Sequence, residues 1–143
     1  MAYGPQWVPG LEGELARSSR PGYGSKDVGP EEVDEWIERA RAMGIRSIIC
    51  LLDDEQLAYY QRVPGGLLER YREAGFEVKN IPVADPHEKG EEGWRALNEK
   101  LGEIWEAFRR LPKPVVVHCS AGVDRTGKAV KFILERLEEE RRQ

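Results

Sequence analysis

One stretch of the chain carries residue types that could do chemistry together. Val115-Val116-Val117-His118-Cys119 closes an apolar run on a thiol, and Arg125-Thr126-Gly127 follows six residues after the cysteine. The valines read as a buried strand. Beyond Arg125, Ala129, Val130, Ile133, Leu134 and Leu137 recur at helical spacing, so a helix starts near the arginine. Between them, Ser120, Ala121, Gly122, Val123 and Asp124 form a loop able to aim its backbone N–H groups inward as an anion nest. The helix adds unpaired N–H groups and the positive end of its dipole. A field that draws an anion also favours the thiolate of Cys119, a nucleophile pointed at whatever the cup holds. Arg125 can fork two N–H bonds onto a phosphate and stabilise charge on its equatorial oxygens. The Thr126 hydroxyl is placed to bond the sulfur and ease its departure.

This stretch resembles the signature of the cysteine-dependent phosphatases, the protein tyrosine phosphatase superfamily. That signature is His-Cys, five residues, Arg, Ser or Thr, then Gly. His118, Cys119, Gly122, Arg125, Thr126 and Gly127 meet its positions. A bare Cys-x5-Arg would be a weak signal; the full match at a strand–loop–helix junction is specific. The resemblance implies a phosphocysteine intermediate, no metal or other cofactor, and an aspartate general acid on a separate loop. Asp85, 34 residues before Cys119 and directly after Ile81-Pro82-Val83-Ala84, matches that acid by order and context. Asp53 and Asp54 also follow an apolar strand, at residues 45–52, and stay open as alternatives, with helix capping as their other reading. His118 is expected to orient the loop rather than transfer protons. His87 reads as a solvated loop residue, and Lys128 and Lys131 as solvent-facing.

The chain is similar to the small dual-specificity-like branch, which has a shallow pocket. Val83-Ala84-Asp85 stands where longer tyrosine-specific members carry Trp-Pro-Asp. Residues 15–21 are similar to an opening segment of small members, with a polar turn as the plainer reading. Asp124 occupies a position that is glycine in many members. Some bacterial and phosphoinositide-acting members carry Lys-Asp-Arg there, and Val123 in place of that lysine weakens a lipid or polyphosphate reading. Cys50 reads as a small buried hydrophobe; the alternative is a redox disulfide with Cys119, a device of some members. The expected activity is hydrolysis of phosphomonoesters: phosphotyrosine, and phosphoserine or phosphothreonine, in proteins. Inositol phosphates, phosphoinositides or small phosphomonoesters are alternative substrates. A non-catalytic phosphate-binding module and a persulfide-carrying sulfurtransferase are the rival classes.

The elements that must position these residues follow from the pattern. The 143 residues suit one domain, 1–143, and 40% apolar residues with four Trp, five Tyr and three Phe supply a core. Residues 1–30 read as an irregular segment with short edge strands. Val33, Trp36, Ile37, Ala40 and Met43 mark a helix, and residues 55–60 and 67–74 two shorter ones. Residues 45–52 and 76–83 read as strands, and 85–90 as a polar loop. Trp94, Leu97, Leu101, Ile104, Trp105 and Phe108 line one face of a long helix. Strands alternating with helices predict an α/β fold with a central, mostly parallel sheet of four to five strands flanked by helices on both faces. A net charge of −4 gives no basic footprint for nucleic acid. No apolar run is long enough to span a bilayer, and the N-terminus has no signal-peptide pattern. Two cysteines fit a reducing compartment, so a cytoplasmic monomer is expected.

Overall fold

The computed structural model describes residues 3–143; Met1 and Ala2, the start of the segment expected to be irregular, lie outside the described residues. Five strands form one sheet: β1 (Gln6–Trp7), β2 (Leu15–Ser18), β3 (Ser47–Cys50), β4 (Glu77–Asn80) and β5 (Val115–His118), in the order β1-β2-β5-β3-β4. β2, β5, β3 and β4 run parallel, and only β1 is antiparallel. The helices are α1 (Pro30–Ala42), α2 (Asp54–Leu57) with a 3-10 turn (Ala58–Tyr60), α3 (Gly66–Glu73), α4 (Pro86–Lys89), α5 (Glu91–Arg110) and α6 (Asp124–Arg141).

Strand side chains alternate between faces, so each strand feeds two cores. Val115, Val117, Ile49 and Leu51 pack under α5 and α6. Val116, Ile48 and Cys50 pack under α1 and α3, with Trp36, Leu67 and Tyr71. The central strands are therefore buried throughout, as the valine run and residues 45–52 foretold. The C-terminal ends of β2, β5, β3 and β4 lie along one edge of the sheet, where sites of open α/β folds gather.

Several expectations need correction. β2 is no edge strand; it is hydrogen-bonded to β1 on one side and β5 on the other. Nor is the segment after it a polar turn, because Ser18, Ser19 and Arg20 are buried. The supposed polar loop after Val83 contains α4, whose first N–H groups are capped by Asp85. Trp94 is 39% exposed rather than on the inner face. Its neighbour Gly93 takes that place, since a Cβ there would lie 2.7 Å from the Pro86 backbone. Leu134 is likewise 38% exposed.

Candidate active site

β5 ends at His118, and the loop from Cys119 to Val123 delivers the chain to α6. Each carbonyl along this loop is held from outside. His118 Nδ1 donates to Cys119 O at 3.0 Å. Arg20 N donates to Ser120 O at 2.8 Å, and Ser19 Oγ to Ala121 O at 2.7 Å. Arg17 Nη2 donates to Gly122 O at 2.9 Å, joined there by the Tyr3 hydroxyl. Carbonyls pulled outward turn their amides inward. Gly122 N donates to Cys119 Sγ at 3.3 Å. Among the described residues, the amides of Ser120, Ala121, Val123, Asp124 and Arg125 have no protein acceptor, which is the donor set of an anion nest. Gly122 makes the turn possible: its φ is 77°, and a Cβ there would sit 2.5 Å from Ser18 O.

Arg125, in the first turn of α6, is 1% exposed. Its Nη1 donates to Val83 O and Gln56 Oε1, both at 2.9 Å, and to Leu51 O at 3.3 Å. Its Nη2 lies 3.3 Å from Asp85 Oδ2. The carboxylate of Asp85 accepts from His87 N at 3.0 Å and from Gln56 Nε2 at 3.3 Å. Asp85 is thus fixed by a helix cap, an amide and a guanidinium. Asp53 caps α2 by accepting from Gln56 N at 3.0 Å, and Asp54 is exposed; neither lines the cavity.

A cavity of about 140 Å³ brings together Cys119, Ser120, Ala121, Asp124, Arg125, Asp85, His87 and Tyr23. Asp124 itself is exposed at its mouth, as are His87 and Val123, while Lys128 and Lys131 face solvent. The Thr126 hydroxyl, expected to bond the sulfur, is buried without a hydrogen-bond partner among the described residues. Burial pushes His118 down to about 4, so its ring is neutral. Since Cys119 O can only accept, the proton sits on Nδ1, and Nε2 accepts from the Tyr71 hydroxyl at 2.9 Å. The ring also lies edge-on to Trp36, with centroids 5.5 Å apart. Both ring nitrogens of His118 are thus tied, one to the loop carbonyl of Cys119 and one to Tyr71. The structure adds residues that sequence reasoning missed: Gln56, Arg17, Ser19, Arg20 and Tyr23. The hydrogen bonds that tie Gln56, Arg17 and Ser19 to the site span 29 to 105 residues of sequence, so no local pattern marks them.

A family model described as the tyrosine phosphatase family matches residues 38–143, which include the hydrogen-bond and ion-pair partners of Arg125 given above. The chain belongs to the tyrosine phosphatase family. Among solved structures, the kinase associated phosphatase KAP, crystallised with its catalytic-site cysteine substituted by serine, is 25% identical, with a TM-score of 0.62 over 86% of this chain and 65% of KAP. TpbA of P. aeruginosa, solved alone and as a cysteine-to-serine variant in complex with pTyr, is 18% identical with a TM-score of 0.41. The matches cover 88% and 89% of this chain, and 64% and 65% of TpbA. The chain therefore spans less than two thirds of the length of these proteins. No curated protein matches it. The likeness to KAP supports the α/β architecture with its mostly parallel sheet. No helix among the described residues is long and apolar enough to cross a membrane, and no group of three or more His, Cys, Asp or Glu is placed to hold a metal ion.

Proposed function

We propose that the chain hydrolyses phosphomonoesters, namely phosphotyrosine, and phosphoserine or phosphothreonine, in proteins, through a phosphocysteine on Cys119. One observation carries this reading: a thiol, a guanidinium and a carboxylate share one small cavity floored by unpaired amides. The phosphate dianion enters the amide cup and takes Nη2 of Arg125 from Asp85. That exchange keeps the buried guanidinium paired, which matters because an uncompensated buried charge is strongly destabilising. The Cys119 thiolate forms a bond to phosphorus as the P–O bond to the leaving group breaks. Asp85, protonated, gives its proton to the departing oxygen. Water then attacks phosphorus and passes a proton to the Asp85 carboxylate. The P–S bond breaks, phosphate leaves, and the thiolate returns. The Thr126 hydroxyl, which lacks a partner in the free protein, donates to the sulfur at that second step. The catalytic-site cysteine of KAP is a precedent for the role of Cys119.

The test is p-nitrophenyl phosphate hydrolysis by the wild type, Cys119→Ser and Asp85→Ala. Cys119→Ser is expected to lose all turnover while still binding vanadate. Asp85→Ala is expected to lose about 100-fold in rate and the fall in rate between acidic and neutral pH, because the acid must carry its proton. Turnover by Cys119→Ser would exclude the mechanism. Vanadate binding without wild-type turnover would identify a binding module, and a wild type that releases sulfite from thiosulfate instead would identify a sulfurtransferase.

A further inference from the structure

Gln56 is buried beside the proposed chemistry, and the mechanism above does not use it. Its side chain hydrogen-bonds to both charged groups of the site. Oε1 accepts from Arg125 Nη1 at 2.9 Å, and Nε2 donates to Asp85 Oδ2 at 3.3 Å. Its backbone is fixed in turn, because Gln56 N donates to Asp53 Oδ1 in the cap of α2. The amide therefore faces each partner with the correct polarity, an acceptor toward the cation and a donor toward the carboxylate.

We infer that Gln56 is a positioning residue: its amide holds the Asp85 carboxyl at the leaving-group side of the cavity when an incoming phosphate takes Arg125 away from it. In the free protein the Asp85 carboxylate has two side-chain anchors, Arg125 and Gln56. Substrate removes the first. The cap on α4 holds Oδ1 but lies on the outer side, through His87 N. Gln56 alone then keeps Oδ2 facing the departing oxygen. A neutral amide does this in both protonation states, since Nε2 can donate to a carboxylate or to the carbonyl oxygen of the acid. A carboxylate or ammonium at position 56 would bias one state.

The inference rests on the phosphatase reading, and the experiment separates the two. Proton donation matters most when the leaving oxygen is a poor leaving group. The full-length wild type, Gln56→Met and Gln56→Glu are compared on p-nitrophenyl phosphate and on phenyl phosphate, whose leaving group is poorer. kcat/KM is the readout, because it covers every step up to loss of the leaving group. Gln56→Met keeps the volume and removes both hydrogen bonds. Gln56→Glu keeps the acceptor for Arg125 and sets a like charge against Asp85, and it serves if the methionine variant does not fold. Either variant is expected to lose at least about 10-fold more kcat/KM on phenyl phosphate than on p-nitrophenyl phosphate. Equal losses on both esters, or no loss, overturn the positioning role while leaving the phosphatase reading intact. A wild type that turns over neither ester overturns the phosphatase reading, and this inference falls with it.

Discussion

Cys50 and Cys119 are one residue type in two environments, and the contrast is set by where β3 and β5 end. Cys50 pairs in register with His118, and both side chains pack on the α1 and α3 face. Cys119 follows and turns to the α5 and α6 face, where it lines the cavity. Burial pushes the Cys50 thiol up to about 12, so it stays protonated and inert at neutral pH. Two outcomes are expected. Iodoacetamide at neutral pH modifies one cysteine, Cys119→Ser abolishes the modification, and inorganic phosphate or vanadate protects against it. Mild peroxide is expected to produce no loss of two hydrogens in the intact mass, because Cys50 packs in the core under α1 and α3 and Cys119 in the one under α5 and α6. The arginine and cysteine of the loop were legible because their spacing is a chain-local pattern. Asp85 was legible as a position following a strand. The Thr126 hydroxyl was assigned to the sulfur from spacing alone, and the structure leaves it unpartnered, because spacing along a loop does not fix which way a hydroxyl turns.

At the scale of elements, β2 carries more of the site than its sequence announces. Arg17, Ser19 and Arg20 look like a polar, edge-strand ending, yet each satisfies a carbonyl of the loop after β5 about a hundred residues later. Arg20 also donates to Ser120 Oγ at 3.0 Å and stacks on the Tyr59 ring, its guanidinium carbon 4.9 Å from the centroid. A period-two pattern cannot reveal such a strand, since its polar residues are buried against backbone rather than turned to water. The short helix expected over 55–60 is there as α2 and the 3-10 turn after it, but a four-residue helix has no periodicity to show which way Gln56 faces. The cup should therefore fail from the β2 side. Gly122→Ala forces a side chain toward Ser18 O at a positive φ, displacing the loop. The expected loss in kcat/KM is about 100-fold or more, the scale of losing an oxyanion donor. Ser19→Ala leaves the Ala121 carbonyl unpaired and is expected to lower stability by about 1 kcal/mol, with KM raised more than kcat falls. Chemical denaturation beside steady-state kinetics checks both. Gly122→Ala with wild-type kcat/KM would show that the close approach to β2 does not shape the cup.

For the whole molecule, the same buried histidine that braces the loop sets how stability depends on pH. The exposed ion pairs, such as Arg62 with Asp27 and Arg141 with Glu138, contribute little. Arg70, by hydrogen bonding to Asp34, lowers that carboxyl below its ordinary 3.8, and this contribution is lost only as pH falls through still lower values. His118 acts at milder pH. Its value falls from 6.5 to about 4 in the fold, so below 6.5 the unfolded chain binds a proton that the folded chain refuses. Stability from this group is complete above about pH 6.5 and is lost as pH falls toward 4. Between pH 7 and pH 5 the difference is about 2 kcal/mol, or roughly 4–8 °C in Tm for a chain of this size. Thermal unfolding across that range is expected to show the fall in the wild type and to lose most of it in His118→Gln, which cannot titrate but can still donate to Cys119 O. The proton that His118 refuses would go to Nε2, which then no longer accepts from the Tyr71 hydroxyl, while Nδ1 still donates to Cys119 O, so the kinetics add a second reading. The KM for p-nitrophenyl phosphate is expected to rise as pH approaches 4, where the charged ring loses the Tyr71 hydroxyl that fixes it beneath the loop. A wild-type Tm that is flat from pH 7 to 5 would mean that His118 accepts its proton in the folded chain as readily as in the unfolded one.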